Sequence, residues 1–163
     1  MSNNLANLKV DIILPNYNSE LYVKETIDSI INQTFKNWKL IIVDANSNVE
    51  TQKILNSYTK YKEISIMRLK KKRKAGYCRN LAIKKSKSDY VAFIDSDDIW
   101  KKEKLFKQLC FMTKNKYHFT YTNYLPFKSH VKKSYLTEIK PKKKFNFGMF
   151  TKNTSIATSS MII

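Results

Sequence analysis

Asp95, Asp97 and Asp98 fall within four residues, directly after the apolar run YVAFI at residues 90–94. The chain carries 31 Lys and Arg against 13 Asp and Glu, a net charge of +18, so this concentration of its few acids asks for a reason. Carboxylates about 3–6 Å apart repel and raise one another's pKa unless a cation is shared. A hard divalent ion, Mg2+ or Mn2+, takes oxygen ligands, commonly one or two carboxylates plus substrate phosphates. Surrounding lysines would draw such phosphates in. The cluster therefore predicts a metal that holds a diphosphate. The structural alternative is that these acids only end a strand and cap a helix beginning near Trp100 or Lys101. Asp is a good N-cap, which accounts for one of them but not for all.

Other polar positions carry less chemistry on their own. Asn16 and Asn18 suit a turn. Asp44 follows the apolar run LIIV and serves equally as a strand-end cap. Arg79 and Asn80 are expected near the start of a helix, where the dipole does not favour Arg, so an anion facing Arg79 is expected. His118 and His130 lack a catalytic partner in sequence and read as structural or surface residues. The KKKRK run at residues 70–74 reads as a solvated charge run. Neither GxGxxG nor GxxxxGK[ST] occurs, so a dinucleotide fingerprint or P-loop is unsupported.

The elements that must position these residues alternate. Residues 9–15 (KVDIILP) predict a buried strand, after which Ser19 is expected to cap a helix carrying Val23, Ile27, Ile30 and Ile31. A strand at residues 40–43, a helix through Ile54, Leu55 and Tyr58, and a weaker strand at residues 64–69 follow. Next come a helix holding Leu81, Ala82 and Ile83, the strand at residues 90–94, and a helix with Leu105, Leu109 and Met112 on one face. Such alternation predicts an α/β fold, a mostly parallel sheet with helices on both faces. Ligands of open sheets bind beyond the carboxyl ends of the strands. The junctions at residues 15–17, 44–47 and 95–98 should converge there. Residues 118–127 (HFTYTNYLPF) read as an aromatic strand, with residues 134–139 (SYLTEI) as a hairpin partner and residues 140–147 (KPKKKFNF) as a basic loop.

At 163 residues and 42% hydrophobic, the chain reads as one domain with a real core. Its 2 glycines and 3 prolines leave no linker evident. No apolar run approaches the about 20 residues of a membrane span, and residues 1–13 lack a secretion signal, so a cytoplasmic location is expected. Cys78 and Cys110 form no metal-ligand spacing and read as reduced thiols on helices. The positive charge favours anionic partners, although a biased genome explains it as well. A basic nucleic-acid-binding module would leave the acid cluster unexplained, so no nucleic-acid partner is expected.

Taken in order, PNYN, a helix ending in NQTF, IIVDxxS, RNxAI and FIDSDD resemble the catalytic domain of family 2 glycosyltransferases with the GT-A fold, a Rossmann-like sheet. The resemblance covers residues 10–127, and the tail is most similar to bacterial members that build surface polysaccharides, teichuronic-acid glycosyltransferases among them. It implies a nucleotide-diphospho-sugar donor, usually a UDP-sugar, and an inverting transfer to a polysaccharide or lipid-linked acceptor. Pro15 and Tyr17 match the first nucleotide-contacting loop, and Asp44 the first position of a VDD motif near base and ribose. Arg79 matches an arginine that holds the nucleotide. Asp95, Asp97 and Asp98 match the DxD motif, with Asp97 and Asp98 foremost for metal and donor sugar. Residues 8–127 would then form the nucleotide-sugar-binding part and residues 128–163 the start of the acceptor side, with peripheral contact to an anionic membrane.

Two departures stand out. The second Asp of VDD is Ala45, so either Asn46 substitutes or the base preference is loosened. The Asn and Gly turn usual before RN is replaced by the lysine-rich stretch, so a basic loop is expected to grip phosphate. Members of the family carry the catalytic base beyond the serine-rich strand matched here by TSSMII, and no residue of this sequence matches it. Glu138, the only acid after Glu103, has no reason to be chosen. A chain truncated at this point, with the fold incomplete at the C-terminus, is the expectation, and a truncated inactive nucleotide-binding protein is the alternative function.

Overall fold

A computed structural model describes Leu5 and residues 7–127, 137–146, 148–149 and 155–163. Strand β1 (Val10–Asn16) is buried along its whole length, as an apolar run covered on both faces must be. It pairs in parallel with β2 (Trp38–Asp44) on one side and β4 (Tyr90–Phe93) on the other. β3 (Ile64–Arg68) adds to β2, giving the order β3-β2-β1-β4, all parallel. The α/β reading holds.

Helices α1 (Val23–Ile31), α2 (Val49–Ser57), α3 (Ala75–Ile83) and α4 (Lys104–Asn115) fill the intervals. Val23, Ile27 and Ile30 form the buried stripe of α1 and pack with Ile12, Leu14, Leu40, Ile42, Leu55, Leu105 and Leu109 in one core. On the opposite face Cys78 and Ala82 of α3 pack on Ile13, Ile41, Val43 and Phe93. Cys78 and Cys110 are free thiols on helices, as expected.

Pro15 sits inside the central strand because of how that strand bonds. Odd-numbered residues of β1 face β4, as Ile94 N–H donating to the Ile13 carbonyl shows, and the pairing of β4 with β1 ends at Phe93 opposite Ile13. The missing N–H of Pro15 therefore falls where no partner strand remains.

Several expectations are corrected. Ser19 does not cap α1, whose N-cap is Tyr22 with no side-chain bond; the Ser19 hydroxyl instead donates to the Asn16 side chain. Arg79 is not at a helix start but in the middle of α3. No acid of the cluster caps the following helix, which begins at Lys104 with Glu103 as N-cap. Residues 118–127 form no strand, only single antiparallel bridges from Thr120 to Ile162 and from Tyr124 to Ile139, because the two bridges pair with different segments. Of the hairpin partner, residues 134–136 lie outside the described residues, as do His130 and Phe147. TSSMII is a 3-10 turn (Thr158–Ser160) followed by a segment that runs antiparallel to β4, with Ile162 in the core.

Candidate functional site

The carboxyl ends of β1 and β2 stand in register, Asn16 opposite Asp44. Asp44 is fully buried, and its oxygens are served by Asn16 Nδ2 at 2.9 Å, the Ser47 amide at 3.3 Å and the Ser47 hydroxyl. Ser47 Oγ also accepts from Asn16 Nδ2 at 3.2 Å and from the Asn18 amide at 2.9 Å. Two residues in this junction take left-handed backbone, Asn18 (φ 45) and Asn46 (φ 64), which asparagine tolerates better than most side chains. Asn18 Oδ1 accepts from the Asn48 amide at 2.8 Å, and Asn48 caps α2 through Thr51 at 2.9 Å. Asn46 stands exposed between buried Ala45 and Ser47. Asp44 thus pins the loops that carry Tyr17 and Asn46 and does not itself face solvent.

The end of β4 is built differently. Asp95 pairs with Arg79 of α3, and the Arg79 Nε is buried without a partner among the described residues. Asp97 is exposed and has no hydrogen bond or ion pair among the described residues. Asp98 accepts from the Ser159 hydroxyl, and its amide closes a turn onto the Asp95 carbonyl at 3.1 Å. Burial pushes the Asp98 carboxyl up from its ordinary 3.8; the Ser159 bond opposes this, while Asp97 and Asp95 add to it.

No group of three His, Cys, Asp or Glu side chains among the described residues forms a ready-made cage. The donor set instead fits an open site: Asp97 without a partner, Asp98 with one oxygen engaged, both hard oxygen donors of the kind Mg2+ and Mn2+ take alongside phosphates. Arg79 brings a fixed cation beside them.

Lys72 of the basic run lies 4.1 Å from the centroid of the Tyr17 ring, so this run reaches the same edge, and Arg73 similarly covers Tyr77 at 5.1 Å. Composition alone treats residues 70–74 as a solvated run; only the crossing of β1 and β3 ends brings Lys72 to Tyr17. The contacts of Ser159 and Lys104 were equally hidden, whereas Ser47 is the serine of IIVDxxS. Lys104 has a half-buried stem and a buried Nζ that sits 3.9 Å over the Trp100 ring with no hydrogen-bond partner. Burial pulls its pKa from 10.5 down to about 7, while the ring face favours the charged form. His118 is exposed, and Glu138 is an exposed acid paired with Lys140 at 3.5 Å.

A separate groove of about 530 Å3 lies at the amino ends of the strands, lined by Lys9, Lys39, Lys62, Lys85 and Lys87 with Asp11 and Glu63. Its acids are already engaged, Asp11 by the Ser86 hydroxyl at 2.7 Å and Glu63 by Lys62 at 3.9 Å. The acid turn, the candidate site, is at the other end of the sheet.

Comparison with known proteins bears on the family of the chain. TuaG of Bacillus subtilis, named for teichuronic acid biosynthesis as a glycosyltransferase, is 41% identical over 116 residues, 71% of this chain and 46% of that protein. The Escherichia coli UDP-Glc:alpha-D-GlcNAc-diphosphoundecaprenol beta-1,3-glucosyltransferase WfaP is 35% identical over 94% of this chain and 60% of its own length. The crystal structure of S. aureus TarS 1-349 in complex with UDP-GlcNAc superposes with a TM-score of 0.65 at 30% identity, covering 69% of this chain and 33% of that one. The chain thus spans about half the length of these curated relatives. Residues 11–163 match the family described as Glycosyl transferase family 2, and with the relatives above this places the chain in that family.

Proposed function

We propose that this chain binds a nucleotide-diphospho-sugar, a UDP-sugar first, and serves a metal-dependent, inverting glycosyl transfer to a cell-surface polysaccharide or lipid-linked acceptor. The observation that carries the reading is the open acid turn: Asp97 exposed and unpartnered beside Asp98, on the sheet edge that also presents Tyr17 and Arg79. Two similar proteins support the donor class, one named for UDP-Glc and one crystallised with UDP-GlcNAc.

In this reading Asp97 and Asp98 hold Mg2+ or Mn2+, and Asp95 is fixed by Arg79 so that both face the diphosphate. The ion, when bound, neutralises charge on the departing diphosphate. Tyr17 offers a ring face to the base, while Pro15 stiffens the strand end from which that loop leaves. Asp44 keeps the Asn16 and Ser47 side chains in place, and through them the loop in which Asn46 replaces a carboxylate near the base. Arg79 supplies positive charge to the diphosphate, and Lys72 adds more from the basic loop. Acceptor deprotonation is not assigned to a described residue.

The acceptor class follows from the relatives' names alone. Among the described residues no helix is long and apolar enough to cross a membrane, so contact with an anionic bilayer would be peripheral, through the basic surface.

Calorimetric titration of UDP into the chain, once with Mn2+ and once with EDTA, tests the reading. Heat of binding with Mn2+ and none with EDTA is expected. Equal binding in both would remove the metal from the site, and binding in neither would remove the donor.

A further inference from the structure

Sixty-one positions separate Ser159 from Asp98, yet Ser159 touches the acid turn at three points. Its hydroxyl donates to Asp98 Oδ2 and accepts from the Asp95 amide at 2.9 Å. Its carbonyl accepts from Trp100 Nε1 at 2.8 Å. One nearly buried residue therefore spans the turn from its first acid to the aromatic ring that closes it. Because its single proton goes to Oδ2, Asp98 Oδ1 is left without a hydrogen bond among the described residues.

Ser159 is itself held firmly. The segment after it pairs with β4, Val91 N–H donating to the Ile163 carbonyl at 2.8 Å and Ile163 N–H to the Val91 carbonyl at 2.9 Å. Gln108 Nε2 donates to the Ser160 carbonyl and to Thr120 Oγ1, each at 3.0 Å. On the far side of the turn the Trp100 ring lies under the Lys104 ammonium. The turn is thus gripped from β4, from α4 and from a part of the chain remote in sequence.

We propose that Ser159 is a positioning residue for the metal and diphosphate: it orients Asp98 so that Oδ1 faces the ion, and it fixes the Asp95 backbone from which Asp97 projects. The inference rests on the donor-site reading above. Partners that orient metal ligands in this way, when removed, typically cost about 10–100-fold in metal affinity.

The test measures the Mn2+ concentration needed for half-maximal UDP binding, together with the melting temperature, in wild type, Ser159→Ala, Ser159→Thr and Ser160→Ala. Ser160→Ala is the control, because among the described residues its hydroxyl bonds only to the Ala157 carbonyl at 2.6 Å, at the start of the Thr158–Ser160 turn and away from the acids. Ser159→Ala should raise the Mn2+ requirement about tenfold or more, Ser159→Thr should restore most of it, and Ser160→Ala should leave it unchanged. A folded Ser159→Ala that needs no more Mn2+ than wild type overturns the proposal. So does an equal rise in Ser160→Ala, since any loosening of the turn would then suffice. If Ser159→Ala does not fold, Ser159→Cys, close in size and weak in hydrogen bonding, carries the same expectation. Wild type that binds no UDP at any Mn2+ concentration sinks the donor reading and this inference together; wild type that binds normally beside an unaffected variant sinks this inference alone.

Discussion

The two polar junctions on the carboxyl edge of the sheet use the same residue type for opposite ends. At the β1–β2 junction Asp44 is fully buried and collects donors from Asn16 and Ser47. At the end of β4, Asp97 is exposed with no partner among the described residues, and Asp98 is engaged through one oxygen. A buried carboxylate is tolerated when its hydrogen bonds are met, and it then organises its surroundings. Neighbouring carboxylates left partly open repel one another and favour a cation. The closed junction shapes the loops, and the open one is available for ligand.

Substitutions should separate the junctions. Asp44→Ala leaves the Ser47 hydroxyl and amide without their acceptor and the Asn16 amide with Ser47 Oγ alone, and urea unfolding should show a loss of about 3 kcal/mol. A loss as small as that of an exposed acid would break the contrast. Lys104→Met should raise stability at pH 7. Between pH 10.5 and about 7 the unfolded chain binds a proton that the folded Lys104 does not, so stability falls as pH falls through that window. The Met variant should show a flatter melting temperature across it. A wild-type curve already flat there would mean that the Trp100 ring holds the ammonium charged.

Asp98→Asn should trade function against stability. The folded Asp98 has its carboxyl pushed up by burial, so ionising it at neutral pH costs stability that Asn does not lose. Its metal-free melting temperature should rise while Mn2+-dependent UDP binding weakens; a fall in melting temperature would mean that the carboxylate supports the turn. Lys72→Ala should have the smallest effect, a loss of about 0.5–1 kcal/mol in UDP binding with unchanged melting temperature. No change in affinity would place Lys72 outside the site.

Much of this arrangement was legible in the sequence, for a physical reason. The buried strands are continuous apolar runs, and α1 and α4 carry their apolar residues at helical spacing, so pattern alone placed the parallel sheet and its polar edge. What stayed hidden depends on long-range pairing. Ser159 reaches Asp98 only because Ile162 docks beside β4, and Lys72 reaches Tyr17 only because β1 and β3 end on the same side. Ser19 misled because its hydroxyl met the Asn16 side chain before it could meet a helix amide. The aromatic stretch at residues 118–127 has the composition of a strand, but its Phe119 ring packs on Tyr121 and Tyr121 on Phe145, each at 5.8 Å, while its backbone pairs only at isolated points.

The most direct test of the division between the junctions is urea unfolding of wild type and Asp97→Asn, each with and without Mn2+ plus UDP. With ligand about a hundredfold above its Kd, the wild type should gain about 2.7 kcal/mol. Asp97→Asn should match wild type within about 0.5 kcal/mol when ligand is absent, and gain nothing when it is added. An Asp97→Asn chain stabilised by Mn2+ and UDP as strongly as wild type would contradict the assignment of the open junction to the donor.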